Sequence, residues 1–371
     1  MNKQPTLLFF SIIQEGIYAN RYHNLDTMDK GQKKLLMISL GISLAVLFAV
    51  LIFTIDKDTV TALKSCMPAF LILALFMHII SLIFWALRIK LMCRSLGYKV
   101  RFFHCINLVC SNTFIASITP SQIGGEPVRV YELTKAGMRG GDATAVVIME
   151  RVFDGIVLAV GTALCVFALG VFFGDIELPD ACIITAYAVA GVFTVLVLLF
   201  FVFAKNPKWG YALIGKVSSL ISRRDSKEKM QARFRRFEEY VSQFYTTVSQ
   251  FGGKARIGIL FGVLFTALYW VNEFVIAYFI CIGLGIEPTS ALFLLSLIFQ
   301  LLITVILMIP ITPGGVGIAE LSLSGFYALI IPTSLVGIFV LIYRFIFYYF
   351  NLIAGFIASM LIVRREAHTE H

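Results

Sequence analysis

The chain has 371 residues, 59% of them hydrophobic. A water-soluble domain cannot bury that much apolar surface, so the composition excludes a soluble enzyme and points to an all-α polytopic membrane protein. Only 14% of residues are charged, yet the net charge is +9; in such a chain the surplus marks cytoplasmic loops rather than nucleic-acid binding.

Residues 1–34 contain a short apolar run, 7–13, followed by polar sequence and no small-residue cleavage site. This predicts an interfacial cytoplasmic segment, not a signal peptide. Apolar runs then predict spans at 35–55, 67–87, 145–173, 181–204, 257–286 and 335–363. Each is long enough to cross a hydrocarbon core of ~30 Å at ~1.5 Å per residue. Two further apolar stretches, 102–118 and 291–311, run into Thr-Pro pairs followed by glycines. The seven Cys lie mostly in apolar stretches without paired spacing, so reduced thiols are expected.

Charge orients these segments. Arg88, Lys90, Arg94, Lys99 and Arg101 follow the second span, 205–256 is basic, and Arg364 and Arg365 close the chain; Asp175, Glu177, Asp180 and Glu287 occupy other loops. Placing basic loops inside predicts a multi-pass cell-membrane protein with both termini cytoplasmic. Both ends of 102–138 are then cytoplasmic and both ends of 291–331 exterior, so each is read as a re-entrant hairpin. The expected architecture is a first membrane half (35–204), a basic segment (205–256), a second half (257–363) and a tail (364–371). It is an inverted repeat of span–hairpin–span units, with six full spans and two Thr-Pro-Gly broken hairpins.

The sequence register supports a repeat. Ile118-Thr119-Pro120 recurs as Ile311-Thr312-Pro313, an offset of 193 (311 − 118), and the same offset maps Gly124 onto Gly317 and Arg151 onto Arg344. Pro120 and Pro313 cannot continue a helix smoothly, and Gly124, Gly125, Gly314 and Gly315 let a ligand approach the main chain. Irregular backbone at membrane depth has to be buried or line a wet cavity. A short helix is predicted after each break, with Pro127 at a first-turn position, and its N-terminus favours an anion such as phosphate. A pair of packing kinks is the alternative.

Intramembrane charges are candidates for the same site. Each costs ~2.5–3.5 kcal/mol at a helix centre, so pairing and a use are expected. Glu150 and Asp154 lie one turn apart, Arg151 can pair with Asp154 at i,i+3, and Glu273 sits mid-span. Arg151 and Arg344 are read as phosphate contacts, because guanidinium presents a planar fork to phosphate oxygens. Ion pairing at helix ends is the competing role for Glu150 and Asp154. Glu126 and Glu320 follow the breaks at unequal spacing and are read either as proton or head-group acceptors or as helix caps. Gln122 and Arg129 complete the candidate set around the first break. In the basic segment, Met230, Phe234, Phe237, Val241, Phe244, Val248 and Phe251 recur in steps of four and three. That spacing predicts an amphipathic helix, lying on anionic inner-leaflet lipids, packing on protein or forming a short coiled coil.

The run Ser117-Ile118-Thr119-Pro120-Ser121-Gln122-Ile123-Gly124-Gly125-Glu126-Pro127, then Glu150-Arg151-x-x-Asp154, then Thr312-Pro313-Gly314-Gly315-Val316-Gly317, resembles the flippase-like transmembrane domain of the lysylphosphatidylglycerol synthase family. That domain is the membrane half of the multiple peptide resistance factor and also occurs alone in bacteria and archaea. The resemblance implies translocation of a lipid such as aminoacyl-phosphatidylglycerol, or of a polyprenyl-phosphate-linked lipid. The family's aminoacyl-transferase domain has no counterpart up to His371, so lysyl transfer is not expected of this chain. A membrane subunit or scaffold for a lipid-modifying enzyme is the rival reading, and self-association stays open. No nucleotide-binding loop of the G-x-x-x-x-G-K type is present, and no cofactor or metal is expected. Transport would be passive, ion-coupled through a buried Glu or Asp, or driven by lipid metabolism.

Overall fold

The computed structural model describes the backbone of residues 66–119, 125–172, 180–206, 227–308, 312 and 314–369. The predicted first span at 35–55, the segment 1–34, and Pro120, Gln122, Gly124 and Pro313 lie outside these residues. Within them the chain forms α1 (Pro68–Ser95), α2 (Phe102–Ile118), α3 (Gly125–Lys135), α4 (Gly140–Phe172), α5 (Asp180–Lys205), α6 (Lys227–Gly252), α7 (Arg256–Gly283), α8 (Ser290–Met308), α9 (Ile318–Tyr327), α10 (Thr333–Arg344) and α11 (Phe350–Thr369). A π-helical turn, Phe345–Tyr349, joins α10 to α11 without a break. Among the described residues, four segments are long and apolar enough to cross a membrane: Pro68–Ser95, Arg256–Gly283, Ser290–Leu307 and Thr333–Ile362. The protein is a multi-pass, helical membrane protein. The last helix runs on to Thr369, beyond the predicted end of the final span.

α1 and α7 form the spine. Met67 N–H donates to the Gly283 carbonyl at 2.7 Å, Phe70 stacks on Phe279, His78 meets Glu273, Phe84 meets Phe265, and Ser95 lies against Gly258. Residue numbers rise along α1 as they fall along α7, so the two 28-residue helices run antiparallel over their full lengths. Two hydrophobic cores flank this spine. One joins the later part of α1 to α2, α3 and α4 through Ile89, Met92, Leu108, Leu133 and Val146. The other joins the later part of α7 to α8, α9 and α10 through Ile280, Phe299, Leu323 and Phe339. Each spine helix therefore contributes to both cores, a consequence of antiparallel pairing.

The two sets of elements keep the sequence register. α3 and α9 begin at 125 and 318, and α4 and α10 at 140 and 333; both differences are 193 (318 − 125 and 333 − 140). Outward faces are apolar: Ile257, Leu260, Leu264, Leu268 and Val271 line one side of α7, and Ile353, Phe356, Ile357 and Leu361 one side of α11. Exposed side chains of this kind at steps of three and four are what a lipid-facing helix presents.

α6 matches the predicted amphipathic helix, and its later part packs on protein. Gln243 accepts from the Gly141 N–H at 3.1 Å, Thr247 donates to Asp142 at 2.5 Å, and Phe251 is buried. Arg139 and Tyr98 also bind Asp142, so one carboxylate staples α6, α4 and the α1–α2 loop.

α2 lies against α11 so closely that a Cβ at Gly355 would sit 2.2 Å from the Cys110 carbonyl oxygen. Main chain cannot retreat as a side chain can, so Gly355→Val is expected to cost about 1–3 kcal/mol. The check is a lowered thermal-unfolding midpoint in detergent, with Gly191→Val, at a glycine with open space around it, as the near-neutral control.

Candidate functional site

The charged residues of the first half close into a ring. Its members come from α1 (Arg88), α3 (Glu126, Arg129) and α4 (Glu150, Arg151, Asp154). Arg88 binds Glu150 at 2.8 Å and Asp154 at 2.8 Å. Glu150 holds Arg129 at 2.6 Å, Arg129 reaches Glu126 at 3.6 Å, Glu126 holds Arg151 at 2.9 Å, and Arg151 returns to Asp154 at 3.3 Å. Cations and anions alternate, and their formal charges cancel. Glu150 and Asp154 share Arg88 because one helical turn separates them on α4.

Neutral groups complete the ring. Trp85 Nε1–H donates to Glu150 at 3.0 Å, Trp270 Nε1–H to Asp154 at 3.1 Å, and Arg88 Nη1–H to Thr266 at 2.9 Å. Both Arg88 and Arg129 lie over the Trp85 ring, at 5.8 and 5.4 Å. Most of the ring is sealed: Arg88, Arg129, Glu150 and Asp154 are buried. One edge is open, where the side chains of Arg151 and Glu126 are 44% and 33% exposed. The long Arg129–Glu126 link is also at this edge, and Nε and Nη2 of Arg129 are buried without a hydrogen-bond partner.

The second half repeats one part of this arrangement. Arg344, equivalent to Arg151 by the 193-residue register, pairs with Glu320 at 2.9 Å. In both halves, then, the repeated arginine on the long helix holds the acidic residue in the first turn of the short helix after the break. The unequal spacing of Glu126 and Glu320 does not prevent the same pairing. The second clasp is closed: Arg344 and Glu320 are buried, and the guanidinium lies 4.2 Å from the Tyr348 ring. Glu320 also accepts from the Gly317 N–H at 2.7 Å, so it caps α9 as well.

The breaks approach each other. A Cβ at Gly314 would sit 2.7 Å from the Ser117 carbonyl oxygen at the end of α2 and 2.8 Å from the Tyr348 ring, and its φ of +61° lies in the left-handed region. Glycine meets both demands. Thr119 folds its hydroxyl back onto the Ile115 carbonyl at 2.8 Å. The Thr312 hydroxyl is buried without a hydrogen-bond partner. Gly125 packs on the Asn112 side chain, where a Cβ would lie 2.3 Å from Oδ1. Gly315 continues the turn at φ +67°. Behind the second break, Gln300 joins Tyr327 at 2.9 Å and Tyr343 at 2.8 Å, tying α8, α9 and α10 together.

Glu273 stands apart from the ring and both clasps. It faces His78 at 3.0 Å in the middle of the spine. The charge pattern assigned Arg88 to a cytoplasmic basic loop and offered no role for the spine histidine. The structure corrects the Arg88 reading, because α1 continues to Ser95 and Arg88 is buried within it. Trp85 and Arg88 at i,i+3 at the end of an apolar run were the available signal. Thr266, Trp270 and Asn351 could not be linked to these groups without the helix pairing. No group of three or more His, Cys, Asp or Glu suited to a metal occurs among the described residues.

Comparison with known proteins places this geometry in a family. The family model described as the lysylphosphatidylglycerol synthase TM region matches residues 36–355. A UPF0104 membrane protein of Archaeoglobus fulgidus is 31% identical over 325 residues, covering 87% of this chain and 95% of the relative. UPF0104 membrane proteins of Pyrococcus horikoshii and Methanocaldococcus jannaschii are 24% and 25% identical, covering 80% and 89% of this chain and 87% and 95% of their own lengths.

Removing Arg88 deprives two buried carboxylates, Glu150 and Asp154, of their shared cation. Arg88→Met is therefore expected to cost about 3–5 kcal/mol, the range for breaking a buried ion pair from one side. Arg88→Lys should recover only part of this, since a point-charge ammonium lacks the planar fork that reaches Glu150 through Nε and both Asp154 and Thr266 through Nη1. Thermal unfolding of the purified variants in detergent checks the order wild type, Lys, Met.

Proposed function

The chain belongs to the family of the lysylphosphatidylglycerol synthase transmembrane region, and on that premise we propose that it is a transporter moving an anionic, phosphate-bearing lipid between leaflets. The carrying observation is the repeated arginine–carboxylate clasp beside each break, Arg151–Glu126 and Arg344–Glu320. The antiparallel spine and the shared 193-residue register support two halves related by inversion, with each break read as the tip of a re-entrant hairpin. In transporters built this way, interrupted helices at corresponding positions hold the substrate.

Phosphate suits the open edge of the ring. Its oxygens can replace the Glu126 carboxylate on Arg151 and take the buried donors of Arg129, both by charge-assisted hydrogen bonds. The N-terminus of α3 adds a favourable dipole for an anion. Because the ring is formally neutral, the anion enters by exchange with a carboxylate and leaves no uncompensated cation. One clasp is open and the other buried, as expected of a carrier that exposes its two sites in turn. The acyl chains stay in the bilayer throughout.

Candidate substrates are a phospholipid such as aminoacyl-phosphatidylglycerol or a polyprenyl-phosphate-linked lipid. A cell-membrane location, cytoplasmic termini and contact of the basic start of α6 with anionic inner-leaflet lipids belong to the same proposal.

Proteoliposomes with labelled phosphatidylglycerol, its lysyl ester or a polyprenyl phosphate test this reading by leaflet exchange. One lipid is expected to exchange in a protein-dependent way, with Arg151→Ala falling to the protein-free rate while still inserting. Because Arg344→Ala strands Glu320, the second clasp is tested with Arg344→Met/Glu320→Gln, which removes both charges together. Wild-type rates in both variants would overturn the clasp mechanism. Absence of exchange for every lipid would turn the assignment to a membrane subunit or scaffold of a lipid-modifying enzyme.

In the same assay Glu126→Gln frees Arg151 from its competitor. Half-saturation by the transported lipid is expected to fall several-fold, and an unchanged value would show that Glu126 does not compete for the phosphate.

A further inference from the structure

His78 lies midway along α1 and is buried. Its Nδ1 is 3.0 Å from Glu273 Oε1 on α7, and its Nε2 is 3.0 Å from Asn351 Oδ1 on α11. Asn351 Nδ2 donates to the Phe347 carbonyl at 2.9 Å, which fixes the amide with its oxygen toward the imidazole. A flipped amide would set two carbonyl oxygens against each other. Nε2 therefore carries a hydrogen.

That leaves Nδ1 facing a carboxylate oxygen at hydrogen-bond distance. A bare nitrogen lone pair and a carboxylate would repel, so a second proton lies between them, on Nδ1 or on Glu273. Either way the pair holds one proton more than neutral histidine with ionised glutamate. We propose that His78 and Glu273 form an intramembrane proton-binding site, whose ligand is H+ and whose loading and unloading accompany lipid transfer. Binding converts imidazole and carboxylate into imidazolium–carboxylate, or imidazole and carboxylic acid; release returns the same proton to water. The coupling rests on the transport reading, whereas the proton site rests on the hydrogen bonds alone.

The surroundings favour a proton over a metal ion. The pair offers one carboxylate oxygen and an amide oxygen already engaged by an N–H, well short of the six or more oxygens a hard cation gathers. The rings of Phe347 and Phe350 flank the imidazole, with centroids 4.9 and 5.9 Å away. Of the other titratable groups, Tyr269 on α7 and Tyr343 on α10 lie in the field of Glu273. The charged groups beyond them are paired with each other, Arg344 with Glu320 and Arg88 with Asp154.

Position gives the proton leverage. Asn272 donates to the Met77 carbonyl at 2.6 Å and to Ser81 Oγ at 2.7 Å, so it sits opposite Ile79. The difference 272 − 79 is 193, the offset that relates the two halves. The proton pair is thus next to the point where corresponding positions of the repeat cross. Loss of the proton leaves a neutral imidazole with one hydrogen for two acceptors, so its contact with either α7 or α11 turns repulsive in a low-dielectric interior, and the helices must shift to relieve it.

The test uses the full chain in vesicles containing the lipid that exchanges, with pH gradients of either sign. If one proton moves per lipid, the steady-state distribution between leaflets is expected to shift ~10-fold per pH unit and to reverse with the gradient. Glu273→Gln, whose amide can still donate to Nδ1, should abolish that bias. Protein-dependent exchange that ignores the gradient would overturn the coupling and leave the transport reading standing. Should no lipid exchange at all, infrared difference spectra after a pH jump decide on the proton site alone. A carboxyl or imidazolium band absent from Glu273→Gln and His78→Gln sustains it, and identical spectra for wild type and both variants overturn it.

Discussion

The charged interior of the first half of this molecule depends on a closed ring of three arginines and three carboxylates. Isolated, each of these charges would strongly oppose burial; joined, each lies beside counter-charge at 2.6–3.6 Å. The ring dictates which helices lie together. Arg88 draws α1 to α4, Glu126 and Arg129 draw in the short helix after the break, and α7 joins through Thr266, which accepts from Arg88, and Trp270, which donates to Asp154. In the proposed transport reading, a ring also confines exchange to its accessible edge, where the side chains of Arg151 and Glu126 are exposed.

The second half is built on the same register but balances its charges differently. It keeps the arginine–glutamate clasp and loses the remaining four members, whose equivalents by the offset include Cys281 for Arg88 and Tyr343 for Glu150. Its polar connections are largely neutral, the Gln300–Tyr327–Tyr343 link among them. Such bonds are weaker than charge-assisted ones, so the two halves should differ in how readily they open. Between them lies the α1–α7 spine, whose midpoint holds His78 and Glu273. A device located there acts on both halves at once, because each spine helix belongs to both cores.

How much of this was legible in the chain varies with the physical signal. Long apolar runs located α1, α7 and the α10–α11 span, because crossing a bilayer fixes length and composition together. The period of α6 was readable from its phenylalanines. Arg151 with Asp154 was readable too, being a contact within one helix. Arg88 was not, since a cation at the end of an apolar run reads equally as a loop charge or as the last turn of a buried helix. His78, Glu273 and Asn351 lie 195 and 273 positions apart in their two contacts, and no local periodicity records which helices will meet.

The order of residues alone tells that the chain enters the membrane, where its helices break, and that Arg151 and Arg344 share a register. These are properties of local composition and of a register that survives in the order of residues. Tertiary structure alone decided that the two arginines choose Glu126 and Glu320, that the ring closes through Arg88, and that a histidine meets a glutamate at the centre. The reason is physical: buried charge is tolerable only beside its counter-charge, and the counter-charges here arrive on different helices, brought together by antiparallel packing.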